Sequence, residues 1–151
     1  MESFGEILVA SSDLELRRSI VTILRRLGAD PICASTVSQS REALAEHSVG
    51  LVFCDRQFAD GTYRDLLKYV RSGMSEDKTR VVLTTSFVNP GEYHEAKQSG
   101  VFDVIASPEH AVAVEWMVIL AQRDALRYRE LALLSRSPAA VGLRAAAAAK
   151  A

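Results

Sequence analysis

Cysteine is scarce in this chain: Cys33 and Cys54 are the only two in 151 residues, and no CxxC pair exists. A disulfide framework or thiolate metal centre needs paired or clustered sulfurs, so neither is expected. Both thiols lie in apolar, strand-like stretches and read as buried, free and reduced. Histidine is equally sparse, with His47, His94 and His110 scattered along the chain. No charge of one sign prevails, since 18 basic and 19 acidic side chains leave a net charge of −1. A nucleic-acid surface draws on a strong positive field, so no such role is expected of this domain. Long apolar runs are lacking too. The longest, residues 111–121, is broken by Glu115 and is too short to span a bilayer. The opening Met1-Glu2-Ser3-Phe4-Gly5-Glu6 has neither the basic start nor the apolar stretch of a signal peptide. These absences point to a cytoplasmic protein without a membrane association. The glycine patterns that cradle dinucleotides or nucleoside triphosphates are missing, so neither a cofactor nor an enzymatic activity is expected.

What is present is ordinary in bulk, 48% hydrophobic and 25% charged, as one globular domain requires. Its order along the chain is more informative. "EILVA" (6–10), "DPICA" (30–34), "GLVFC" (50–54), "RVVLTT" (80–85) and "VFDVI" (101–105) are strand candidates. Three are nearly all apolar, as parallel strands covered on both faces should be. Between the first two, residues 13–27 carry Leu14, Leu16, Ile20, Ile23, Leu24 and Leu27 at helical spacing, and Gly28 ends the helix. Residues 37–47, 62–73 and 90–99 form three more helices. Thr62-Tyr63-Arg64-Asp65 fits a capping box, and Asn89-Pro90 supplies a cap with proline in the first turn. The last helix begins at Ser107-Pro108 and runs to about Ser135. Five such units predict an α/β fold, a doubly wound five-stranded parallel sheet with an extended C-terminal helix. The domain occupies 1–125, a helical extension 126–135, and the low-complexity tail "RSPAAVGLRAAAAAKA" 136–151.

In an open parallel sheet, function collects beyond the carboxyl ends of the strands. Those ends carry Ser11 and Ser12, Asp55, Thr85 with Ser86, and Ser107 before Pro108. With "ILVASSDLELRR", "LVFCD" ending at Asp55, "VVLTT" ending at Thr85 and "SGVFDVIASP" ending at Pro108, the chain resembles the receiver domain of bacterial response regulators. The resemblance covers about residues 5 to 125 and includes the Asp60-Gly61 turn. It implies the (βα)5, flavodoxin-like receiver fold. It also implies a site: an acidic pair holding Mg²⁺, an aspartate that accepts a phosphoryl group, a hydroxyl contacting the phosphate, and a lysine pairing with it. Asp55 stands at the acceptor position and Thr85 at the hydroxyl position. Ser11 and Ser12 replace the acidic pair, Ser107 the lysine, and Val104 a frequent Tyr or Phe that changes rotamer on activation.

The departures have a physical meaning. Phosphoryl transfer is catalysed by positioning and by neutralising charge on the transferred group. Magnesium requires hard oxygen ligands, usually one or two carboxylates with waters. Ser11 and Ser12 withdraw those carboxylates and Ser107 withdraws the second cation. Ser12-Asp13-Leu14-Glu15 reads as a capping box with Ser12 as the cap, leaving Asp13 a structural role. The expectation is a degenerate receiver, a pseudo-receiver that acts in bacterial signalling as a phosphorylation-independent interaction or dimerisation module. The alternative is a switch phosphorylated inefficiently at Asp55, the one case in which Mg²⁺ is expected.

Binding then needs a surface. Between Glu109 and Ala121 ten of thirteen residues are apolar, more than the stripe that covers a sheet needs. The surplus either packs beneath neighbouring helices or faces a partner. Beyond it, Leu126, Leu131 and Leu134 sit among alternating charges, the pattern of a helix that leaves its domain to pair with another. The resemblance points the same way, because receivers commonly use their fourth helix, fifth strand and fifth helix to dimerise or to meet an output domain. Trp116, Met117, Leu126 and Leu131 are the interface candidates, with a second copy, an output domain or another signalling protein as partner.

Overall fold

A computed structural model describes residues 5–72, 79–86, 89–106 and 111–136. Its elements in chain order are β1 (Glu6–Ala10), α1 (Leu14–Arg26), β2 (Ile32–Ala34), α2 (Val37–Glu46), β3 (Val49–Asp55), β4 (Gln57–Phe58), β5 (Gly61–Thr62), α3 (Tyr63–Ser72), β6 (Arg80–Thr85), α4 (Pro90–Ser99), β7 (Asp103–Ala106) and α5 (Ala111–Arg136). Five strands form one parallel sheet in the order β2-β1-β3-β6-β7. The expected doubly wound fold with a long last helix is what forms.

Strand alternation explains the apolar runs. Ile7, Val9, Leu51, Phe53, Val82 and Ile105 face one side and pack with residues of α1 and α5. Leu8, Ala10, Val52, Cys54, Val81 and Leu83 face the other, against α2, α3 and α4. Each face has its own core, so neither parity of the central strands can be polar. The edges differ. At β2 the alternation turns Cys33 to solvent, so only Cys54 is a buried thiol, and the expectation of two is corrected.

Side-chain caps set the helix starts. Asp13, not Ser12, caps α1: its Oδ1 accepts from the amides of Glu15 (3.0 Å) and Leu16 (3.2 Å). Ser12 instead directs its amide to Asp55. Of the expected box at α3, the half from Asp65 forms, its Oδ2 accepting from the Thr62 amide at 2.8 Å, while the Thr62 hydroxyl accepts from the Arg64 amide at 3.3 Å. Gly28 follows the C-cap Leu27 of α1, and Gly100 itself caps α4. Both have positive φ (85° and 106°), where a side chain would be strained.

Two features were not anticipated. Gln57–Phe58 and Gly61–Thr62 pair as a small antiparallel hairpin, where only the turn was expected. Its turn residue Asp60 reaches across to α2, accepting from the amides of Val37 (2.8 Å) and Ser38 (3.0 Å). At the opposite end of the sheet, the buried Arg80 side chain donates through Nε to Asp124 Oδ2 at 2.6 Å. That pair ties the start of β6 to the middle of α5.

α5 is amphipathic only where it crosses the sheet. Val114, Met117, Val118, Ala121 and Ala125 are buried. Met117, expected at an interface, therefore belongs to the core: it points the same way as Val114 and Ala121, one turn to either side. Trp116, Leu126 and Leu131 are exposed. No helix among the described residues is long and apolar enough to cross a membrane.

Candidate functional site

β3 carries Asp55 out of the buried sheet at its carboxyl end, where the loop after β1 meets it. Ser11 Oγ donates to Asp55 Oδ2 at 2.9 Å, and the Ser12 amide donates to the same oxygen at 3.0 Å. The Ser12 hydroxyl adds a longer contact of 3.5 Å. On the other side Thr84 Oγ1 lies 3.3 Å from Asp55 Oδ1 and 3.2 Å from the Cys54 carbonyl. Ser11 is fully buried and also accepts the Asp13 amide at 3.1 Å, while Arg17 holds its carbonyl at 2.6 Å. The carboxylate is thus enclosed by hydroxyls and an amide.

These contacts decide the electrostatics. Burial pushes the Asp55 carboxyl above its usual range, the bonds from Ser11, Ser12 and Thr84 pull it partly back, and the Asp13 charge pushes it up again. Burial, with the charge of Asp55 beside it, also raises the Cys54 thiol and keeps it unreactive.

The hydroxyl beside Asp55 comes from Thr84, a residue the sequence reading did not name. Thr84 is the register partner of Asp55 across β3 and β6, so the two share a face of the sheet. Thr85, one residue on, shares its parity with Leu83 and lines a cavity of about 300 Å³ with Leu83, Tyr93 and Val104. Arg56–Glu92 and Arg64–Glu95 ion pairs border that cavity. The structure therefore brings together Ser11, Ser12 and Asp55, and places Thr85 and Val104 on the opposite face. Ser107 lies outside the described residues. Thr84 was missed; counting two residues on from Val82, the partner of Phe53, gives its face once the β3–β6 register is known.

The donors around Asp55 bear on whether a magnesium ion could be held here. Among the described residues, the Asp55 carboxylate has three donor contacts at Oδ2 and one, from Thr84, at Oδ1. Asp13 uses its Oδ1 to cap the start of α1. Among the described residues no group of three His, Cys, Asp or Glu side chains could hold a metal. A hard divalent ion needs an array of oxygen acceptors, whereas Ser11 and the Ser12 amide present hydrogens to Asp55.

The class defined so far is an open parallel α/β sheet with one aspartate at the mouth of its central strand. Compared by sequence, the chain matches no protein-family model and no curated protein at a significant level. Compared by fold, it is similar to response-regulator receiver domains. The beryllofluoride-activated NtrC4 receiver dimer superposes with a TM-score of 0.67 at 17% identity, covering 82% of this chain and 98% of that one. The chemotaxis regulator CheY4 of Vibrio cholerae gives 0.71 at 14% identity, covering 78% and 98%. NtrX of Brucella abortus, solved with ATP, gives 0.78 at 22% identity; the match covers 93% of this chain but 33% of NtrX. The fold is the receiver fold of response regulators.

Proposed function

We propose that this domain is a degenerate receiver, working in the cytoplasm as a phosphorylation-independent interaction module in two-component signalling. One observation carries the reading: the acceptor-position carboxylate is held by Ser11, Ser12 and Thr84, where a switchable receiver needs a metal. A phosphoryl group on Asp55 would bring close to two negative charges into a crevice whose nearest side chains are hydroxyls. The occupied partner surface is then α5 with its exposed Trp116, Leu126 and Leu131, and the partner a second copy or an output domain. That one receiver of this fold, NtrC4, is a dimer in its activated form supports a second copy as partner.

The test is a Mg²⁺ titration, with and without a fluoride analogue of phosphate, followed by NMR shifts of the Ser12 and Asp55 amides. No saturable shift is expected at millimolar Mg²⁺, and Ser12→Asp should restore one. Saturable binding localised to Asp55 in the parent would establish the phosphoacceptor switch instead.

A further inference from the structure

α4 covers its side of the sheet thinly. Of its ten residues only Ala96 is buried. Two ion pairs hold it instead, Arg56–Glu92 to the loop before β4 and Arg64–Glu95 to α3. Beneath it lies the cavity of about 300 Å³, walled by Leu83, Val104, Tyr63 and Tyr93. Ligand cavities begin at about this size, with apolar and aromatic walls and a few polar groups. The cavity stands apart from the Asp55 crevice, because Leu83 pairs with Cys54 and so has the opposite parity to Thr84.

Size, charge and one hydroxyl define what fits. An apolar cavity of about 150 Å³ takes up benzene, so one of about twice that volume holds two fused rings. The rim carries two cations and two anions, and each is already matched. Arg56 Nη1 donates to Glu92 Oε1 at 2.9 Å. Arg64 pairs with Glu95 while its guanidinium lies 5.7 Å from the centre of the Tyr63 ring. A charged guest would break one of these pairs or sit beside a like charge, whereas an uncharged guest disturbs neither. Tyr63 is 6% exposed, and among the described residues no hydrogen bond reaches its hydroxyl. No fully enclosed side-chain oxygen or nitrogen among them lacks a partner, so this hydroxyl belongs to the accessible edge of a ring that lines the cavity. The Tyr93 hydroxyl is taken, donating to Asp103 Oδ1 at 3.2 Å. We propose that the cavity binds a small uncharged aromatic molecule of two fused rings, the size of indole, whose one polar group hydrogen-bonds the Tyr63 hydroxyl. Its rings lie against Leu83, Val104 and Tyr93 and give α4 the apolar contact it lacks. The proposal goes beyond the interaction reading and does not depend on it.

Indole itself is the probe. The full chain is titrated to the solubility limit of indole, with backbone amide NMR shifts as the readout. Saturable shifts are expected at Leu83, Tyr93 and Val104, with a dissociation constant at or below about a millimolar. Val104→Phe fills the floor of the cavity and should weaken binding about tenfold or more. Tyr63→Phe keeps the walls but removes the hydroxyl. It should weaken indole about two- to tenfold and leave N-methylindole, which has no N–H to donate, unchanged. Indoleacetate and tryptamine, the same rings carrying a charge, should bind more weakly than indole. The absence of a saturable shift in the parent, or binding that survives Val104→Phe, overturns the site. Equal indole affinity in Tyr63→Phe overturns the hydroxyl contact, and tighter binding of either charged compound overturns the requirement for a neutral guest. Circular dichroism checks that both variants keep the fold, and the Mg²⁺ titration judges the interaction reading separately.

Discussion

Asp55 and Asp60 lie five residues apart and respond to pH in opposite senses. Asp60 is held below its usual range by the amides of Val37 and Ser38. Its contribution to stability is present above the unfolded value of about 3.9 and is lost as pH falls through its lower native value. Asp55 is raised by burial, so its contribution is complete below about pH 3.9 and is lost as pH rises through its native value. Asp55→Asn should therefore raise the melting temperature at pH 7, and the gain should vanish on acidification below about pH 4. Thermal melts across pH 3.5 to 8 would show it. A melting temperature lowered at neutral pH would mean that the hydrogen bonds outweigh burial. Ser11→Ala removes a buried hydroxyl that serves both Asp55 and the Asp13 amide. It should cost about 1–3 kcal/mol in urea unfolding and raise the Asp55 pKa further. At this scale the position of Asp55 was legible, because a carboxylate following a buried apolar run can only emerge at its end. The choice between Thr84 and Thr85 was not, since it depends on a register that a single strand does not contain.

Among the elements, α5 has the least legible faces. Ten apolar residues in thirteen satisfy several helical phases at once, and the sheet selects Met117 while leaving its neighbour Trp116 outside. Met117→Ala should destabilise the fold by about 2–5 kcal/mol, the range for truncating a buried methionine, and Trp116→Ala by far less. Denaturant midpoints of the two variants give a direct comparison. Asp124→Asn removes the charge of the carboxylate to which the buried Arg80 Nε donates. A loss of about 1–3 kcal/mol is expected in the same assay, below the cost for a fully buried pair because Asp124 is half-exposed. The hairpin β4–β5 escaped notice because two-residue strands carry no periodicity. Its Asp60 then caps α2, a contact between residues more than twenty apart in sequence.

For the whole molecule, the Asp55 crevice and the exposed side of α5 divide the functional question. If α5 is the partner surface, Trp116 should report association through a blue-shifted emission as concentration rises, and Asp55→Asn should leave that shift unchanged. Fluorescence at several protein concentrations tests both. An emission independent of concentration would place Trp116 outside any self-association surface.

The amino-acid sequence by itself determined the alternation of five strands and five helices, and therefore the doubly wound sheet. Local hydrophobic period, caps and glycine stops suffice for that, because each acts within a few residues. It also placed Asp55 and the two serines at one end of the sheet. Only the tertiary structure decided which threonine reaches Asp55, which thiol is buried, and which side of α5 stays in solvent. Those outcomes depend on strand register and on what covers each face, and both arise from contacts between segments distant along the chain.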